Sequence, residues 1–112
     1  MSMIQSGNLL AGLGQKLELE EISVLAKGPG ARIERIVSTG QGSPPGFWYD
    51  QEGTEWVFLI AGSAALLFEG DAAPKELAPG DYIEIPAHRR HRVAWTAPDR
   101  ETVWLTVHLA PE

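Results

Sequence analysis

The chain contains no cysteine. That absence excludes disulfide scaffolds, thiolate nucleophiles, iron–sulfur clusters and cysteine-ligated zinc, and it fits a reducing compartment. Long apolar runs are missing as well. The longest, Trp56 to Phe68, has 13 residues and is broken at Gly62-Ser63, which is too short for a membrane-spanning helix. The N-terminus has no basic residue ahead of its apolar ones, and the first lysine is Lys16. No signal peptide is read there, and a cytoplasmic protein with no membrane partner is expected. Cations are few: nine Lys and Arg against fifteen Asp and Glu give a net charge of −6. Such a surface repels phosphate backbones, which argues against nucleic acid as a partner.

What is present is enough for one domain with a modest core, since the chain has 112 residues. Twelve glycines and eight prolines demand many chain reversals and speak against a helical bundle. Gly7, Gly12 and Gly14 lie among scattered apolar residues in the first fifteen positions, so residues 1–15 are expected to form an N-terminal arm and residues 16–112 the domain. From Leu17 onward the chain consists of short apolar or alternating runs separated by turn signals. These runs are 17–26, Arg32–Val37, Phe47–Asp50, Glu55–Ala61, Ala64–Glu69, Lys75–Leu77, Tyr82–Ile85, His91–Thr96 and Thr102–Leu109. About nine strands at this spacing predict an all-β sandwich or barrel.

Alternation assigns faces to these strands. In the last one Val103, Leu105, Val107 and Leu109 share a face, and Thr102, Trp104, Thr106 and His108 share the other. Glu55–Ala61 is apolar on both faces, so it needs cover twice, from a second sheet or from a dimer partner. Together with the apolar arm this leads us to expect a homodimer.

Two segments carry spacings of interest. The first runs Gly42, five residues, Trp48, one residue, Asp50, four residues, Glu55, six residues, Gly62. The second runs Gly80, five residues, Pro86, one residue, His88, two residues, His91, three residues, Trp95. In these spacings the chain resembles the cupin superfamily, whose motifs are G-x5-H-x-H-x3-4-E-x6-G and G-x5-P-x-G-x2-H-x3-N. The gap of 17 residues between them is short, as in small single-domain cupins. The resemblance implies an antiparallel jelly-roll β-barrel (a double-stranded β-helix) with its site in the lumen. In metal-binding members the two histidines and glutamate of the first motif and the histidine of the second hold one divalent ion. Here Trp48 and Asp50 stand in place of the first two histidines, Glu55 and His91 are retained, His88 replaces a glycine and Trp95 an asparagine.

Residue chemistry narrows what such a lumen holds. Trp48 and Asp50, two apart, are expected to share a face, and Trp95 to follow His91 into the barrel. Indole donates one N–H and accepts nothing, so Trp48 is no metal ligand. Asp50, Glu55 and His91 remain as candidate ligands for Fe, Mn, Ni or Zn, with one nitrogen and two oxygens. Equally, the three satisfy one another as a charge-assisted hydrogen-bond network without metal. Trp48 and Trp95 are the candidate aromatic walls of a ligand pocket, while Tyr49 and Trp56 have the opposite parity.

In the run His88–Arg92, Arg89 is in phase with His91 and is the candidate contact for an anion at the barrel mouth, with Arg90 and Arg92 pointing outward. His88 is read as a loop residue. His108 is read as structural or surface, though it is the one further imidazole able to substitute for those missing. No serine is placed for a nucleophilic triad.

Three functions follow. The first is a binding module whose lumen takes a small polar or anionic organic molecule through Trp48, Asp50, Glu55, His91, Trp95 and Arg89, without strong metal dependence. The second is a metal-dependent isomerase, lyase or oxygenase built on Asp50, Glu55 and His91. The third is a dimeric scaffold with a filled lumen.

Overall fold

The computed structural model describes residues 3–111, and among them eight β-strands and no helix. The strands are β1 (Glu21–Lys27), β2 (Ala31–Ser38), β3 (Glu55–Ala61), β4 (Ala64–Phe68), β5 (Lys75–Leu77), β6 (Tyr82–Ile85), β7 (His91–Thr96) and β8 (Thr102–Leu109). They form two antiparallel sheets, ordered β1-β2-β8-β3-β6 and β5-β4-β7. This is the all-β architecture expected from the strand spacing, in the jelly-roll form that the cupin resemblance implies. No helix of the described residues is long and apolar enough to cross a membrane.

The two sheets meet over one apolar cluster of Val57, Leu59, Ala64, Leu66, Leu77, Ile85 and Trp104. Alternation puts these side chains inward, and removing them from water is the main force holding the sheets together. Trp104 also brings a polar atom into the core. Its Nε1–H donates to Ser38 Oγ at 3.1 Å, so burial leaves neither group unpaired.

Two of the expected strands take other forms. The run from Leu17 joins a strand only at Glu21; before it, Leu17 N–H donates to Thr39 Oγ1 and Gln41 Nε2 donates to Leu17 O. The run Phe47–Asp50 shrinks to one bridge, Tyr49 with His91. Pro44 and Pro45 lack the N–H groups a ladder needs, and a turn at Gly46 (φ 79°) closes with Phe47 N–H on Pro44 O.

Among its described residues, 3–15, the arm has little structure of its own beyond a turn, in which Asn8 Oδ1 accepts from Leu10 N–H. It is tied to the outer face of the larger sheet by Arg35, which donates to Leu9 O at 2.8 Å and Ala11 O at 2.6 Å.

The β3–β4 hairpin turns at Gly62, which has φ 87°. A Cβ built there lies 2.6 Å from Glu101 O. Gly62→Ala therefore imposes both a left-handed backbone and a clash, and should lower unfolding stability by about 1–3 kcal/mol. Denaturant unfolding of the two proteins checks this.

Candidate functional site

Register on the inner face of the larger sheet sets the character of the lumen. One row across β2, β8, β3 and β6 is Arg32, His108, Glu55 and Ile85. The next is Glu34, Thr106, Val57 and Ile83, and a third is Ile36, Trp104 and Leu59. The lumen therefore grades from charged at one end to apolar at the other. Between the sheets lies a cavity of about 300 Å³, lined by these residues other than Ile83 and Leu59, and by Glu20, Ile22, Tyr49, Gln51, Leu66, His91 and Val93.

At the charged end Glu55 and His91 are buried, 7% and 4% exposed. His91 Nδ1 lies 2.9 Å from Arg89 O. A carbonyl only accepts, so Nδ1 carries the hydrogen and Nε2 faces the lumen. There it lies 3.4 Å from Glu55 Oε1. His108 Nε2 is 3.1 Å from Glu34 Oε1 and 3.7 Å from Glu55 Oε2. Arg32 Nε lies 3.2 Å from Glu34 Oε2, but the angle leaves that buried N–H without a hydrogen bond. Tyr49 stacks on His91, with ring centroids 5.3 Å apart. Burial, then the carboxylates of Glu20 and Glu55, raise the Tyr49 phenol above its ordinary value of 10.0, so it remains a neutral hydrogen-bond donor through the physiological range.

Of the residues expected from sequence to form the site, the structure brings Glu55 and His91 together in the lumen and places the other four outside it. Trp48 lies with its ring within cation–π distance of the guanidinium groups of Arg90 and Arg92, at 5.8 and 6.0 Å. Asp50 accepts from or pairs with His88 Nδ1 at 2.8 Å. The inward positions of this segment are Tyr49 and Gln51, the opposite parity to that expected, because the segment is a loop docked on β7 and does not continue into β3.

Trp95 is 38% exposed. Ala65 pairs with Trp95 and Leu66 with Val93, so Ala94 is an extra residue in β7. A bulge of this kind reverses alternation, and Thr96, 3% exposed, takes the inward place. Arg89 reaches outward over the Phe68 ring to Glu69 O at 2.8 Å and Asp71 at 3.6 Å.

With Asp50 outside the lumen, the three-ligand set does not assemble. Among the described residues no group of three or more His, Asp or Glu is arranged to hold a metal ion. Arg32, Glu34, Tyr49, Gln51 and Glu20 are polar lining residues that sequence reasoning missed. The first two were legible, since Arg32, Glu34 and Ile36 alternate along β2 in phase with one another. His108 is drawn into the site by Glu34.

A family model for the cupin domain matches residues 35–108. Among solved structures, a protein from Ralstonia eutropha JMP134 named "putative mannose-6-phosphate isomerase" is 48% identical, with a TM-score of 0.93 over 96% of this chain and 99% of that one. A cupin superfamily protein from Desulfitobacterium hafniense DCB-2 superposes with a TM-score of 0.75 at 18% identity, covering 96% of this chain and 94% of the other. An RmlC-like cupin protein from Desulfovibrio desulfuricans does so at 0.73 and 19%, over 95% and 97%. These last two likenesses concern the fold alone. No curated protein matches the chain.

The raised phenol of Tyr49 has a consequence for stability. Below about pH 10 the group is uncharged in the folded and unfolded chains alike. Above it the unfolded chain loses the proton first, so stability falls with rising pH until the folded phenol ionises too. Alkaline unfolding should therefore show a steeper loss of stability in the native protein than in Tyr49→Phe; equal slopes contradict the placement of this phenol.

Proposed function

The chain belongs to the cupin family, and we propose that its barrel lumen binds a small polar organic molecule without depending on a bound metal. One observation carries this reading: a cavity of about 300 Å³ in which buried Glu55 and His91 stand at a charged end, with Arg32, Glu34 and His108, opposite an apolar end that includes Ile36 and Trp104. Small-ligand sites are commonly built this way, with apolar surface supplying affinity and a few convergent polar groups supplying orientation. The donor set supports the metal-free form of the reading, because Asp50 is engaged with His88 and leaves Glu55 and His91 as a pair.

A second reading takes its lead from the name of the Ralstonia protein, 48% identical over nearly the whole chain. Isomerisation of a sugar phosphate needs groups that move a proton between neighbouring carbons, and Glu55 with His91 would suit that task. It also needs an anchor for a phosphate dianion. Arg32 is the one Lys or Arg side chain lining the cavity, and it is paired with Glu34. The first reading is therefore preferred.

We also propose that two copies pair through the outer face of β3 and β6. Trp56, Phe58 and Tyr82 form an aromatic patch there, with ring centroids 5.9–6.4 Å apart. The protein exposes 7335 Å², whereas a compact monomer of its mass exposes about 6,100 Å². The surplus exceeds the roughly 800 Å² per partner that a standard interface buries.

Protein purified without chelator or histidine tag should contain no stoichiometric Fe, Mn, Ni or Zn. Its thermal midpoint should not move on adding EDTA, and it should not turn over mannose 6-phosphate. A metal present near one per chain and lost in His91→Ala would overturn the metal-free reading; turnover lost in the same variant would favour the isomerase. Sedimentation at micromolar concentration should show a dimer, shifted towards monomer by Tyr82→Glu, a change at a position 63% exposed that leaves the core intact.

A further inference from the structure

One buried donor of the lumen has its hydrogen unmet. Among the described residues, Arg32 Nε is the buried side-chain nitrogen or oxygen that lacks a hydrogen-bond partner. Glu34 Oε2 lies 3.2 Å from it, yet off the line of the N–H. The contact answers the charge of the guanidinium and leaves its hydrogen free. Arginine stays protonated across the pH range of a folded protein, so the group is a donor and never an acceptor. A donor buried in this state carries a desolvation penalty that an arriving acceptor removes.

The place of Arg32 in the barrel gives that hydrogen to a guest. Register sets the residue in one row with His108, Glu55 and Ile85, and among the described residues it is the one Lys or Arg side chain lining the cavity. Tyr49 and Gln51 add a phenol and an amide to the same lining. The Arg32 side chain as a whole is 41% exposed although its Nε is covered, so its guanidinium has room to turn. Three carboxyl groups, those of Glu20, Glu34 and Glu55, share the cavity with this single guanidinium. An anionic guest would find the one cation of the lining already paired and would lie among acids. What Arg32 lacks is an acceptor atom, and its counter-charge is already in place.

We propose that the lumen takes a small uncharged carbonyl compound, a ketone or an amide, whose oxygen accepts the hydrogen of Arg32 Nε. The guanidinium turns about its stem to present that hydrogen, and Glu34 remains its counter-charge. The carbon stem of the guest lies along Ile36, Val57, Leu66 and Val93, apolar side chains of the same cavity. Burial of the stem supplies affinity, and the directed donor supplies orientation. This deepens the lumen-binding reading and rests on it.

The test uses the full chain with three probes built on one propyl stem: 2-pentanone, butyrate, and 2-aminopentane in its ammonium form. Binding is followed by NMR through the backbone amides of Val57 and Val93, and the hydrogen bond through the Nε–H resonance of Arg32. The expected result is saturable perturbation by 2-pentanone, about tenfold tighter than by the other two, with the Arg32 Nε–H resonance shifted and its exchange with solvent slowed. Arg32→Met should weaken 2-pentanone binding about tenfold. Should that variant fail to fold, the Nε–H resonance of the native protein still decides. Butyrate or the ammonium binding as tightly as the ketone overturns this inference and leaves lumen binding standing. So does ketone binding that leaves the Nε–H resonance unmoved or is unchanged in Arg32→Met. No perturbation by any probe at any accessible concentration overturns both.

Discussion

The reciprocal hydrogen bonds between Tyr49 and His91 decide what the barrel contains. Tyr49 N–H donates to His91 O at 2.7 Å, and His91 N–H donates to Tyr49 O at 3.1 Å. This one antiparallel bridge docks the loop before β3 onto β7. Because side chains alternate, docking at Tyr49 sends that ring and Gln51 inward and turns Trp48 and Asp50 out. It also fixes the start of β7, so that His91 enters the lumen, with Arg89 O placed to hold its Nδ1–H. Every contact at the charged end, from the stacked phenol to the Glu55 approach, presupposes this register. A slip of one residue would exchange the lumen and the surface throughout the segment.

The periodicity made most of the architecture readable. Runs such as Arg32–Val37, Glu55–Ala61 and Thr102–Leu109 are of strand length and set off by turn residues, so their strands lie within a residue or so of where they were expected. Glu55 and His91 were legible for a different reason: they stand at the glutamate and histidine positions of the two motifs in which the chain resembles cupins. What the sequence concealed was parity across interruptions. Alternation carries a face assignment only along an unbroken strand, and Pro44-Pro45 breaks one assignment while the extra residue Ala94 breaks another. Neither event has a periodic signature. Trp48 and Trp95, large and apolar, looked like walls of a pocket because inward placement is the usual fate of indole; cation–π contact with Arg90 and Arg92 gave Trp48 another place.

The graded lumen follows from β2 and β8 acting together. Both carry polar residues on their inner face at the end that meets Glu55, and apolar ones, Ile36 and Trp104, deeper in. A barrel that buried Glu34 and Glu55 singly would lose several kcal/mol for each unpaired charge. Sharing softens that cost: Glu34 serves both Arg32 and His108, while Glu55 sits between two imidazoles without fully satisfying either. An incompletely paired buried carboxylate is a poor contributor to stability and a good recognition element, since its free energy improves most when a suitable guest arrives.

The departures from the family pattern are physically coupled. His88 occupies a position with φ 62°, left-handed backbone at which glycine would be free of strain and a side chain costs of the order of 1 kcal/mol. Two contacts offset that cost. The His88 N–H donates to Gln51 O at 2.7 Å, and its ring meets Asp50 Oδ1 at 2.8 Å. Asp50 in turn replaces a histidine that would need to point inward to ligate a metal. Turned outward, it gives His88 a partner, and together they clamp the loop carrying Tyr49 and Gln51 to the turn that precedes β7. A carboxylate and an imidazole suit this clamp; a glycine at 88 would relax the backbone but leave Asp50 without its ring contact. The two residues thus act as a pair: they hold the Tyr49–His91 register, and they leave the lumen to Glu55, His91 and the side chains of β2 and β8.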